Sequence, residues 1–311
     1  MDAPHTGAGA APSAEGAVLA ELLSLLRLEQ LELDLYRGPS QDLGWGAVFG
    51  GQVLGQALSA AARTAPADRP VHSLHAVFLR SGDVNLPVVY RVERLRDGGS
   101  FSSRRVEAIQ KGQPILHLMA GFHQREDGFD HHDPMPAVPG PEGLLAESEL
   151  ARRLAPHVPA SFRERLLAPR PLEIRPVDPQ NPLRPSPSPA RRAVWLRAAG
   201  PLPDDPQVHQ TLLAYASDFH FIGTALQPHA VSWMTPGVQV ASLDHAMWFH
   251  RPLRMDDWLL YVMDGPSTAG SRGLVRGQFF NRQGTLVASA AQEGLVRDRR
   301  AAPAPRAPAA G

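Results

Sequence analysis

The chain alternates apolar and polar positions over long stretches, and it does so twice. VHSLHAVFLR (71–80), PVVYRVERLR (87–96), SFSSRRVEAIQ (100–110) and PILHLMAGFHQ (114–124) are β-branched or alternating, with turn signals SGD, RDGG and KGQP between them. That period predicts half-buried strands in an antiparallel meander. Ahead of them, FGGQVLGQALSAAART (49–64) predicts a helix rich in small residues after a Gly–Gly start. The same order then recurs. DPQVHQTLLAYASDF (205–219) predicts a helix with an acidic start and Pro206 in its first turn. VQVASLDHAMWFHRP, DWLLYVMDG, SRGLVRGQFFN and TLVASAAQEGLVR predict a second strand meander. His75 in LHAVFLR and His245 in DHAMWFHRP stand 170 residues apart. Element order, strand length and turn positions all agree across that offset, so one α+β unit is duplicated rather than a short-period solenoid repeated.

Between the halves, residues 126–190 hold 14 of the 31 prolines. That density opposes regular structure over most of the segment, LLAESELARRL (144–154) being a plausible helix, and marks a long connector. The connector suits two halves lying side by side and pairing edge to edge. The expected organisation is a disordered tail at 1–16, an N-terminal unit at 17–125, the Pro-rich connector at 126–190, a catalytic C-terminal unit at 191–297 and a disordered tail at 298–311. AVLAELLSLLRLEQL, near the N-terminus, carries Glu21, Arg27 and Glu29 and predicts an amphipathic helix, too short and too charged to span a bilayer. A long helix wrapped by a twisted antiparallel sheet, repeated in tandem, is an α+β double hot-dog architecture. Gly50, Gly51, Gly55, Ala57, Ala60 and Ala61 supply the small face that the first wrapped helix requires.

Composition removes several function classes. A formal net charge of +0 offers no electrostatic case for nucleic acid or an anionic membrane. With no cysteine there is no disulfide, thiolate metal site or Cys nucleophile. Lys111 is the only lysine, so a ligand phosphate must be met by Arg, His or backbone N–H groups. No signal peptide is evident, which makes the cytoplasm the expected compartment. His131, His132 and Asp133 are metal-ligand types, but they lie in the connector without a partner cluster, so no metal or cofactor is expected. Nucleophile-elbow, dinucleotide-binding and P-loop patterns are absent.

One asymmetry between the halves bears on chemistry. The helix at 49–64 has no acid, whereas its counterpart carries Asp218 inside the apolar run LLAYASDFHF. Asp is disfavoured within helices and costly to bury. It is either a cap for the following turn or a functional carboxylate. Ser242 and Gln292 interrupt apolar strands of the second half, where Asp244, His245, His250 and Glu293 are competing polar residues.

RGPSQDLGWGAVFGGQVLGQAL, VHSLHAVFLRSGD, RVERLRDGGSFSSRRVEAIQKGQPI, ASDFHFIGTALQPH, ASLDHAMWFHRP and LVASAAQEGLVR together resemble the acyl-CoA thioesterase II family, the TesB-like double hot-dog enzymes. The resemblance spans about residues 20–297. It implies hydrolysis of acyl-CoA to fatty acid and CoA by a water activated by Asp218, Ser242 and Gln292, with no metal and no acyl-enzyme. Many members have Thr where this chain has Ser242. Backbone N–H groups near a helix start would hold the oxyanion. Arg104, Arg105, Arg272 and Arg276 are candidates for the CoA phosphates. The resemblance also implies a homo-oligomer, dimer or tetramer. The competing readings are a hot-dog enoyl-thioester hydratase or dehydratase, using Asp218 with His220, and a non-catalytic acyl-CoA-binding protein.

Overall fold

A computed structural model describes residues 14–300. The chain begins with α1 (Ala14–Leu26), then β1 (Glu29–Glu32), β2 (Leu35–Gly38), α2 (Gly50–Ala62), β3 (Val71–Phe78), β4 (Val88–Asp97), β5 (Phe101–Gln110) and β6 (Gln113–His123). The segment between the halves contributes α3 (Glu147–Leu154), α4 (Ala160–Leu167) and β7 (Leu172–Pro176). The second half follows with β8 (Arg191–Ala198), α5 (Pro206–Ala216), α6 (Phe221–Thr224), β9 (Val238–Ser242), β10 (Asp244–Phe249), β11 (Leu259–Ala269), β12 (Arg272–Asn281) and β13 (Leu286–Asp298). Of the tails expected to be disordered, residues 1–13 and 301–311 lie outside the described residues, whereas 14–16 form the first turn of α1 and Asp298 ends β13.

All thirteen strands join one antiparallel sheet in the order β1-β2-β4-β5-β6-β3-β10-β13-β12-β11-β8-β7, with β9 paired to β13 off that path. The seam between halves is β3 against β10, with His75 opposite Ala246 and His245 opposite Ala76. These two pairs exchange under the 170-residue offset, so the halves meet about a local twofold, as a duplicated edge strand pairing with its own copy must. The sheet wraps α2 and α5, which pack against each other at the centre. Alternation along β5 and β13 places Val106, Ala108, Ala288 and Ala290 inward against these helices. This is the tandem double hot-dog.

Gly51 sets the distance between the two helices. A Cβ there would lie well inside contact with the Tyr215 carbonyl oxygen and 2.5 Å from the Phe49 ring. The glycine pair Gly273–Gly294, directly opposite each other on β12 and β13, makes a second bare patch. A Cβ at 294 would fall 2.5 Å from Ile222 of α6.

Three expectations change. The expected strand at 238–252 divides at Leu243: β9 runs beside the end of β13, and β10 continues along the seam. The predicted helix at 205–219 ends at Ala216 with Ser217 as its C-cap, so Asp218 lies beyond the helix, not within it. The connector is more ordered than its prolines suggest: besides α3 it forms α4, and β7 pairs with β8 as the counterpart of β1 beside β2. Its Pro139 carbonyl accepts the Trp195 indole N–H at 2.8 Å, and Met135, Val138 and Leu144 pack on Trp195, Trp258 and Phe280 across the outer face of the second half. Proline removes backbone donors but leaves carbonyls and apolar surface available. Among the described residues no helix is long and apolar enough to cross a membrane.

Candidate active site

Asp218 emerges from the C-terminus of α5 on the wall of a cleft of about 2750 Å³ that is also lined by Phe49, Gly50, Phe219 and Ser242. The turn is pinned from behind. Tyr261 donates its hydroxyl to the Ser217 carbonyl at 2.9 Å, and Ser217 Oγ faces His245 Nε2 at 2.9 Å. Burial pushes the His245 imidazole down to about 3, so it is neutral. It props the turn and does not face the cleft.

Strand register brings Ser242 and Gln292 together. Ser242 ends β9 opposite Gly294, two residues along β13 from Gln292 and therefore on the same face. Gln292 is fully buried. Its Nε2 donates to Asp218 Oδ1 at 2.9 Å and to Ser242 Oγ at 2.8 Å. Both amide protons are thereby occupied, while Oε1 has no partner among the described residues. The three residues singled out in the sequence thus form one connected group. The competing polar residues face elsewhere: Asp244 accepts the Glu293 N–H, Glu293 pairs with Arg272, and His250 meets Ser289.

The first half supplies a partner that sequence reasoning missed. Gly51 donates its backbone N–H to the Asp218 carboxylate, and a Cβ on Gly50 would lie 2.7 Å from Asp218 Oδ2. The N-terminus of α2 has Phe49 at its N-cap position and no side-chain cap of its own. A helix start leaves N–H groups without acceptors, and its dipole favours an anion. Asp218 satisfies that end from the other half, so the capping idea holds in part, across the molecule rather than locally. The available signal was FGGQ, a helix start without Ser, Thr, Asp or Asn.

Although half-buried by area, the carboxylate is enclosed by protein on most sides. Poor solvation pushes its pKa above the usual aspartate value, against the opposing hydrogen bonds from Gln292, the Gly51 N–H and Ser242. The site therefore holds a carboxylate of increased basicity, a hydroxyl beside it and a helix N-terminus at the cleft wall.

The arginines expected to meet phosphates are placed otherwise. Arg104 is fully buried, bonding Thr64 and Asp97, while Arg105, Arg272 and Arg276 pair with Glu93, Glu293 and Asp264. None lines the cleft. Instead Arg152, Arg153, Arg165, Arg170 and Arg184, all from the connector, line it and form no ion pair among the described residues. The strand alternation that turns Arg104 inward was visible, but its partners were not.

Two family models match, described as acyl-CoA thioesterase over residues 163–295 and as acyl-CoA thioesterase N-terminal domain over residues 39–123. The chain is 44% identical to the acyl-CoA thioesterase 2 of Haemophilus influenzae over 280 residues, covering 90% of this chain and 98% of that protein. It is 41% identical to human acyl-coenzyme A thioesterase 8, with 88% of each chain covered. A solved acyl-CoA thioesterase II of Mycobacterium marinum superposes with a TM-score of 0.73 at 43% identity, covering 89% of this chain and 98% of that one. Matches of this length, across both halves and the connector, place the chain in the acyl-CoA thioesterase family.

Proposed function

We propose that this protein hydrolyses acyl-CoA thioesters with a water activated by Asp218. The observation that carries the reading is the poorly solvated Asp218 carboxylate, held at the cleft wall by Gln292, Ser242 and the N-terminus of α2. The water oxygen attacks the thioester carbonyl carbon while its proton passes to Asp218, whose raised pKa suits it to act as general base. The carbonyl oxygen takes up negative charge. Gly50, the first residue of α2, has no intrahelical acceptor for its N–H and stands beside Asp218, which makes it the favoured donor to that oxyanion. Collapse breaks the C–S bond, and the departing CoA thiolate takes the proton that Asp218 holds, which regenerates the base. Ser242 lines the cleft and would orient the water. Gln292 lies behind, its amide protons fixing Asp218 and Ser242 in mutual register.

The hydratase alternative requires an imidazole available beside Asp218. The His220 ring is engaged elsewhere instead: Nδ1 lies 3.0 Å from the Arg192 guanidinium, and Nε2 lies 3.0 Å from the Glu147 carboxylate. A thiol-release assay with DTNB on a panel of acyl-CoAs tests hydrolysis directly, and the cysteine-free chain adds no background. Steady release of one CoA per acid formed is the expected result. Tight binding without thiol release would support the non-catalytic alternative.

The connector arginines support a site for the CoA phosphates, because guanidinium groups that face solvent and hold no ion pair among the described residues are available for fork-like phosphate contacts. Arg153→Ala and Arg184→Ala should each raise KM for acyl-CoA by about tenfold, the equivalent of ~1.4 kcal/mol. KM for an acyl-pantetheine lacking the nucleotide should not move. An equal rise for both substrates would place these arginines outside the phosphate site.

A further inference from the structure

Two positions beyond Asp218, His220 adopts φ 63° and ψ −12°. This left-handed conformation costs a residue bearing a Cβ about 1–2 kcal/mol, and it persists where surrounding contacts impose it. The contacts are specific. The guanidinium of Arg192, on β8, lies 3.0 Å from His220 Nδ1. Glu147 Oε1, in the first turn of α3, lies 3.0 Å from Nε2. A guanidinium only donates, so Nδ1 is the acceptor, and Nε2 is left beside the Glu147 carboxylate at ion-pair distance. Burial pushes the Glu147 carboxyl up, but His220, Arg192 and Arg170 outweigh it and hold it below the usual range.

Three segments distant in sequence converge here: the connector through Glu147, the second sheet through Arg192, and the Asp218 turn through His220. All three residues line the cleft. The turn is fastened on its inner side at Ser217 by Tyr261 and His245. Asp218 and Phe219 sit between that anchorage and His220. A group held between two fixed points keeps its orientation, and small displacements at a catalytic centre are costly in rate.

We propose that His220 is a positioning residue: the Arg192–His220–Glu147 clasp fixes the Asp218 turn, which makes helix α3 of the connector part of the catalytic apparatus. The clasp touches no reacting atom. The proposal rests on the reading of Asp218 as the base.

The test compares kcat, KM and melting temperature for Glu147→Gln, His220→Asn, His220→Gly and the Glu147→Gln/His220→Asn double variant, with Asp218→Asn alongside. Glu147→Gln and His220→Asn are each expected to lower kcat about tenfold with KM within about twofold. The double variant should fall little further, because residues acting as one unit are non-additive. His220→Gly enters the left-handed region freely, so it should melt no lower than wild type while still losing kcat. Wild-type kcat in Glu147→Gln and His220→Gly, beside an inactive Asp218→Asn, would overturn the clasp and leave the Asp218 reading intact. So would singles whose losses simply multiply in the double variant. Wild-type turnover in Asp218→Asn would instead remove the Asp218 reading and this proposal with it.

Discussion

Asp218→Asn is expected to lose about 10²–10⁴-fold in kcat, the usual contribution of a general base, and to melt higher than the wild-type protein. The second half of that result follows from the sign of the pKa shift. The folded carboxyl has a raised pKa because burial disfavours its charged form. Its contribution to stability is therefore fully present below the unfolded pKa, about 3.9, and is lost as pH rises through the folded value. At neutral pH the wild-type fold holds an ionised carboxylate at a cost that an amide avoids. The melting difference between variant and wild type should open above about pH 4 and level off once the folded carboxyl has ionised. Each 1 kcal/mol of relief corresponds to about 2 °C in a chain of this size. The wild-type kcat/KM should rise with pH through an apparent pKa above the ordinary aspartate value. Undiminished turnover in the variant would sink the base assignment. A lower melting temperature would show that Asp218 is chiefly a cap for α2, whose N-terminus needs the charge.

Gly51→Ala is expected to be strongly destabilising for a change of one methyl group. Its Cβ would meet the Tyr215 carbonyl oxygen, which is backbone of α5, and the edge of Phe49, which is buried. Neither can swing aside as a flexible side chain would. Forced overpacking typically costs 1–3 kcal/mol. Here it also separates α2 from α5 and shifts the N–H that Asp218 accepts, so about 3 kcal/mol and loss of turnover are expected together. Urea unfolding followed by tryptophan fluorescence measures the first and thiol release the second. Gly99→Ala is the control, because nothing lies within 4 Å of its added Cβ and its φ is not positive. That variant should stay within about 0.5 kcal/mol of wild type. Equal stability for the two variants would mean that the α2–α5 contact is looser than its geometry requires.

Strands and helices were legible because period-two alternation and small-residue helical runs are properties of neighbouring residues. VHSLHAVF and RGLVRGQFFN read as strands wherever they are placed, and two ordered sets of such segments read as a duplication. Comparing the halves also isolated Asp218, since only one of the two helical segments carries an acid. Ser242 and Gln292 were less distinct as isolated polar residues in strands, and only resemblance to a family singled them out.

Other features depended on residues far apart in the chain. LLAYASDF continues a helical pattern past Ala216, yet the helix stops there because Tyr261 takes the Ser217 carbonyl and Gly51, 167 positions earlier, offers Asp218 a backbone N–H. Arg104 looked like a ligand for phosphate until Thr64 and Asp97 enclosed it. The prolines of the connector signalled a lack of long regular elements, but not that Pro139 would accept from Trp195 or that Glu147 would reach His220. The sequence by itself determined the repeated α+β unit, its small-residue helix and the one half that carries an acid, because those are local patterns. Tertiary structure alone decided that this acid meets the other half's helix N-terminus, because the β3–β10 seam and the antiparallel packing of α2 on α5 set which chain ends come within hydrogen-bonding distance.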